Sequence, residues 1–116
     1  MRAAQAVLIA GCWIAMSPQA FADDLVTINQ AAAAAIAAGR NISTINQVGN
    51  NNTAETNQLG AQNSAAIGQY GNNNTSVITQ TGVGGVVIDN QYGNGNQFRI
   101  LQTGSRPPPV IITQRR

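Results

Sequence analysis

A register of eleven residues governs the middle of this chain. Gln stands at 47, 58, 69, 80, 91 and 102, and Gly at 49, 60, 71, 82, 93 and 104. Asn stands at 41, 52, 63, 74 and 96, with Gly85 in the one gap. Self-similarity at a fixed period is the signature of a repeat architecture, in which each unit buries its inner face only against its neighbours. The unit reads Q-x-G-x-x-N-x-(small or apolar)-x-x-x, and it has two parts. The stretch after Gln ("VGNN", "LGAQ", "YGNN", "TGVG", "YGNG") is rich in Gly and Asn, which tolerate positive φ and favour tight reversals. The remaining seven or so residues alternate with period two, the mark of a strand with one buried face.

Alternate positions give that inward face: Asn41, Ser43, Ile45, Gln47, then Asn52, Ala54, Thr56, Gln58, and so on to Asn96, Phe98, Ile100, Gln102. A looser seventh set, Pro108, Val110, Ile112, Gln114, is offset by twelve. A helix is excluded by the recurrence of Gly and Asn within every eleven residues. Low-complexity disorder is the competing reading for a region so rich in Asn, Gln and Gly, but such segments do not hold a fixed register. Two strands and two turns make a coil of about 22 residues, and parallel strands stack about 4.8 Å apart. The fold class predicted is therefore all-β: a β-solenoid that stacks as cross-β.

The stacking explains the composition. A buried amide has two donors and a carbonyl oxygen to satisfy, and a copy of itself one rung away meets part of that need. Left alone it costs roughly 1–3 kcal/mol. A charge would meet its own copy and be repelled. Asp89 breaks this rule on the inward list; either it is neutral and hydrogen-bonded or the coil is irregular near "GVGG". Phe98 is larger than its equivalents, as a coil nearer an end would allow.

The ends differ from the middle. Residues 1–22 read as a Sec signal peptide: Arg2, an apolar run from Ala3 to Met16, a break at Ser17 and Pro18, and "AFA" at 20–22. The alternative is a lipid-modified Cys12 after "IAG". Residues 23–40 lie outside the register; their alanine run ending at Gly39 reads either as a short Gly-capped helix or as a leader. Residues 41–104 hold the repeats, and 105–116 an irregular basic one, with three prolines lacking N–H groups. Arg106, Arg115 and Arg116 there are candidates for docking to a surface or partner.

From Asp23 onward there is no Cys, His or Lys, and five arginines face four acids, a net charge of +1. That leaves no thiolate or imidazole for a metal and no general base or nucleophile of the usual kinds. It suggests no nucleic acid, no metal, no cofactor and no enzyme. Two further readings are an ice- or carbohydrate-binding solenoid, which would need a regular outward threonine array, and a lipid-anchored periplasmic protein.

The unit Q-x-G-x-x-N-x-A-x-x-x-Q resembles the repeat of the curlins, the subunits of bacterial curli amyloid fibres. Gln47, Gly49, Asn52, Ala54 and Gln58 match it in full, as do Gln58, Gly60, Asn63, Ala65 and Gln69. Ser76 and Phe98 replace the alanine in two further units, and Gly85 and Val87 depart in another. Where the family often places Ser, this chain has Asn41, Asn63 and Gly85. The resemblance implies export, outer-membrane secretion through a dedicated pore, and assembly into cross-β fibres of a biofilm matrix. Its implied partners are other curlin subunits and the outer-membrane secretion and anchoring proteins. The ending "VIITQRR" is similar to a minor, nucleating subunit, which would template the major one at an open strand edge. The Gln and Asn positions above would then be the assembly ladder.

Overall fold

The computed structural model describes residues 5–7, 13–16, 25–31 and 41–116, the first three segments as strand backbone. It is a β-solenoid of parallel strands, with no helix among the described residues. The strands are β1 (Gln5–Val7), β2 (Trp13–Met16), β3 (Leu25–Ala31), β4 (Ile42–Val48), β5 (Thr53–Ala61), β6 (Ser64–Tyr70), β7 (Thr75–Val83), β8 (Val86–Tyr92), β9 (Gln97–Ser105) and β10 (Val110–Arg115). Odd strands form one sheet in the order β1-β3-β5-β7-β9, and even strands the other, β10-β8-β6-β4-β2. Each eleven-residue unit supplies one strand, and successive units fall in opposite sheets.

Neighbours within a sheet are therefore two units apart. Ile42 pairs with Ser64 and Ser64 with Val86, a step of 22 residues. Thr53 pairs with Thr75 and Thr75 with Gln97, the same step. The tail takes one extra residue, Val87 to Val110, and stays in register. This places Gln114 beside Gln91, as the offset of twelve predicts.

Residues 25–31 depart from the sequence expectation. They stand outside the eleven-residue register, yet they form β3, which pairs with β5 from Leu25↔Thr53 to Ala31↔Leu59. The step is 28 residues, so six additional residues conceal the match. The alternation survives it: Val26, Ile28 and Gln30 lie in the rows of Ala54, Thr56 and Gln58. The proposed cleavage site, Cys12 and the alanine run after Ala31 fall outside the described residues.

The core lies between the two sheets. Ile45, Ala54, Ala65, Ile67, Ile78 and Val87 form one buried cluster, against which Phe98, Ile100 and Val110 pack while partly exposed. Strands β4 to β8 bury alternate residues, as period two requires. Phe98 lies on β9, the last strand of its sheet, where the wall above it is absent.

The corners depend on glycine for two separate reasons. Gly49, Gly60, Gly71, Gly82, Gly93 and Gly104 all have φ between 101° and 130°. In addition, a Cβ on Gly49 would overlap the carbonyl oxygen of Gly71, and one on Gly71 that of Gly93; on the other side Gly60 meets the Gly82 carbonyl and Gly82 that of Gly104. A second left-handed residue follows two positions later. It is Asn51, Asn73 and Gly95 at one corner, but Gln62, Gly84 and Arg106 at the other. Gln62 and Arg106 hold a conformation that disfavours side chains.

Candidate functional site: the amide columns

The glutamines form two columns, one per sheet. In the even sheet Gln47 Nε2 donates to Gln69 Oε1 at 2.8 Å, Gln69 to Gln91 at 2.8 Å, and Gln91 to Gln114 at 3.0 Å. In the odd sheet Gln58 donates to Gln80 at 2.9 Å and Gln80 to Gln102 at 3.0 Å. The second N–H of each amide crosses the core to the opposite sheet. Gln58 reaches the Ile42 carbonyl, Gln69 that of Thr53, Gln80 that of Ser64 and Gln91 that of Thr75, each at 3.0 Å. One side chain thus ties its coil to the next and its sheet to the other. Gln47, Gln58, Gln69, Gln80, Gln91 and Gln102 are buried, and Gln114 at the last rung is half-buried. Their hydrogen bonds offset the desolvation cost that a lone buried amide would carry.

The asparagines work differently from simple amide-on-amide stacking. Asn41 Oδ1 accepts the backbone N–H of Asn63, and Asn52 Oδ1 that of Asn74. Asn63 Oδ1 accepts from Gly85, and Asn74 Oδ1 from Asn96. Each Nδ2 turns to a corner glycine: Asn41 to the Gly60 carbonyl, Asn52 to Gly71, Asn63 to Gly82 and Asn74 to Gly93. These side chains staple backbone to backbone across the corners. Asn96 also bonds the amide below it, donating to Asn74 Oδ1 at 3.1 Å. The shorter side chain reaches the chain path, where Gln reaches the next Gln.

Gly85, the one gap in the asparagine column, fits this scheme. A Cβ there would sit 2.5 Å from Gln102 Oε1. The next residue in that column is Pro108, which has no N–H to offer an asparagine oxygen. A missing acceptor stands below a missing donor.

Asp89 lies in a regular strand, between Ile67 and Ile112 in its column, so the coil is not irregular there. Its relative exposure is 0 %. Burial pushes its pKa from 3.8 up to about 6, and Ser76 draws it part of the way back. Neither carboxyl oxygen nor Ser76 Oγ completes a hydrogen bond. The same offset of thirteen residues joins Ser43 Oγ and Thr56 Oγ1 at 2.8 Å. At both places where a polar residue replaces the inward isoleucine, a serine stands opposite it.

Three outward features were not foreseen. Tyr70 and Tyr92 stack with centroids 5.1 Å apart and planes 8° from parallel. The Arg115 guanidinium lies 5.4 Å from the Tyr92 ring centre and continues that column. Asn50, Asn72 and Asn94 form a third amide column, in which the Asn50 and Asn72 N–H groups each donate to the Oδ1 one coil on at 2.9 Å. These columns repeat every 22 residues, and a search for period eleven passes over them. No outward column of the described repeats carries threonine on more than two successive rungs. Among the described residues no three His, Cys, Asp or Glu side chains come together. Arg106, Arg115 and Arg116 lie exposed at the C-terminal rung.

No curated protein and no solved structure matches the chain. Residues 49–82, three of whose corners carry the glycine and amide geometry just described, match the family model of the curlin associated repeat, which supports the curlin resemblance.

Proposed function

We propose that this chain is a secreted structural subunit of a curli-type amyloid fibre, exported through Sec after removal of residues 1–22. We assign it the minor role: held at the cell surface by outer-membrane anchoring proteins, it nucleates polymerisation of a major curlin subunit. The observation that carries the reading is the pair of glutamine columns. They run without interruption at steps of 22 and 23 residues to an uncovered strand edge. Forming the first coil from an unfolded chain is the unfavourable step, because chain ordering precedes any stacking gain. A folded rung removes that step for the next chain, and a one-residue slip would turn every inward amide outward. The basic tail, with Arg106, Arg115 and Arg116, is the candidate surface handle.

The test is a polymerisation time course of residues 23–116 diluted from denaturant, beside residues 23–104, followed by amyloid-dye fluorescence and far-UV circular dichroism. A lag abolished by seeds, with β signal rising, supports templated assembly. Full-length chain that shortens the lag of a major subunit at substoichiometric amounts, where 23–104 fails to anchor, supports the minor role. Equal activity of both would favour a major fibre-forming subunit. A chain that folds and stays monomeric would sink the amyloid reading.

A further inference from the structure

The outward face of the even sheet carries a column that the amide ladders do not explain. Val48, Tyr70, Tyr92 and Arg115 stand in one row, one residue per rung. Tyr70 and Tyr92 are the only tyrosines in the chain. Pairing of β6 with β8 stacks their rings, with centroids 5.1 Å apart and planes 8° from parallel. The pair is held from both ends. Asn46 Nδ2 donates to Tyr70 Oη at 3.0 Å, so the phenol accepts that bond and keeps its own proton to give up. The Arg115 guanidinium lies 5.4 Å from the Tyr92 ring centre. Gly68 gives the first ring its seat: a Cβ there would come within 3.3 Å of Tyr70 Cε2, a ring carbon next to the one that bears the hydroxyl. Tyr92 is 40 % exposed, so a reagent in solution reaches the pair.

We propose that Tyr70 and Tyr92 are a site of oxidative cross-linking, joined to each other within one chain by a one-electron oxidant of the haem-peroxidase class acting with hydrogen peroxide. The oxidant takes one electron and one proton from each phenol, from the exposed Tyr92 first and from Tyr70 through the stack. The two phenoxyl radicals pair, and a carbon–carbon bond forms between ring carbons adjacent to the oxygens. The hydrogen on each bonded carbon then moves to the oxygen beside it and restores the phenol. Two hydrogen atoms leave the chain and reduce one peroxide to two waters. The stacked rungs supply the proximity that an unfolded chain would have to find by closing a long loop. They also supply selectivity. Val48 fills the row beyond Tyr70 and Arg115 the row beyond Tyr92, so neither ring faces a tyrosine of another copy along the column. The new bond therefore stays within the chain and ties β6 to β8 around β7. From Asp23 onward there is no cysteine to make such a tie. Folded coils suffice for this chemistry, whether or not the chain polymerises.

The experiment treats the folded chain, residues 23–116, with a haem peroxidase and hydrogen peroxide. Dityrosine fluorescence, a denaturing gel and peptide mass spectra read the product. The expected product runs as a monomer, is lighter by two hydrogen atoms, and holds the peptide of Tyr70 bonded to that of Tyr92. Its urea midpoint should lie above that of the untreated chain, because the covalent loop limits the unfolded state. Tyr70→Phe and Tyr92→Phe should each abolish it. The discriminating variant exchanges two outward residues, Tyr70→Thr with Thr81→Tyr. It keeps the composition and brings the tyrosines closer in sequence, yet places them in opposite sheets, because residue 81 lies on β7. Its intrachain yield should fall by about tenfold or more. Tyr92→Thr with Thr103→Tyr, which moves the other ring to β9, repeats the test at a second place. Far-UV circular dichroism establishes that the exchanged chains keep the β signal of the wild type. Folded exchanged chains that couple as readily as wild type overturn the proposal. So does a folded wild-type chain that yields mainly cross-linked dimers, or no cross-link.

Discussion

At the scale of single residues, Asp89 and the corner glycines carry opposite lessons. Asp89 is a carboxyl in a place built for isoleucine, and its folded pKa of about 6 exceeds the ordinary 3.8. The folded chain therefore holds the proton more tightly than the unfolded one. Stability is greatest below about pH 4, falls as pH rises through 6, and levels off above it, by about 3 kcal/mol in all. Asp89→Asn should flatten that slope, and Asp89→Ile should both flatten it and speed assembly at pH 7; denaturant melts and seeded growth at pH 4.5 and 7.5 check this. The glycines make a sharper contrast. Gly71→Ala adds a Cβ against the Gly93 carbonyl and should abolish ordered stacking, whereas Gly104→Ala meets open space. The latter carries only the strain of a positive φ, about 1–3 kcal/mol, in the isolated chain. It should nonetheless be poorly extended by further copies, which seeded growth on Gly104→Ala fibres would reveal.

At the scale of the element, the amide of Gln69 serves three partners: it accepts from Gln47 and donates to Gln91 and to the Thr53 carbonyl. Gln69→Leu keeps the volume but strands those groups in the core, at roughly 1–3 kcal/mol for each left unsatisfied. The expected loss is about 3 kcal/mol or more. Gln114→Leu, at an exposed end, should cost less than about 1 kcal/mol. Urea melts of the two variants would test the difference. The strands themselves were legible because one residue pattern sets both the turn and the inward face. What escaped reading has a physical reason in each case. Strand β3 was hidden by a step of 28 residues, although its alternation matches β5. The tyrosine and outer asparagine columns were hidden because a sheet samples only every second repeat. The Ser43–Thr56 and Ser76–Asp89 pairs were hidden because thirteen residues separate partners that face one another across two sheets. The backbone stapling by asparagine depends on side-chain reach, which spacing does not encode.

At the scale of the molecule, the solenoid has no core apart from its own repetition, so its stability should scale with the number of stacked rungs. Loss of a terminal unit is then a graded injury, whereas the effect of losing a central stretch depends on whether the register closes again. Deleting residues 105–116 should leave most β signal in assembled material, while deleting residues 64–85, one whole coil, should preserve fibre formation because the register closes again at the same step. Deleting residues 64–74, a single unit, also keeps the eleven-residue spacing but shifts all later strands to the opposite sheet. It should leave Asn50 and Asn94 at opposite corners, so that the outer asparagine column that the 22-residue deletion closes again stays broken, while the glutamine ladders are spared. Denaturant melts of fibres of the two deletions would separate these outcomes, with the single-unit deletion the less stable.

The overlap that forbids a side chain at each corner also bears on what happens when the wrong molecule arrives. A foreign strand can settle over Gly104, because the room there belongs to the rung beneath. Whether anything can settle on the foreigner depends on its own corner residue. Unless that residue is glycine, its side chain occupies the position that the next carbonyl must take. An error of incorporation would therefore end growth at that tip instead of being copied along the filament, and the fibre would keep its purity through geometry, with no machinery to inspect it.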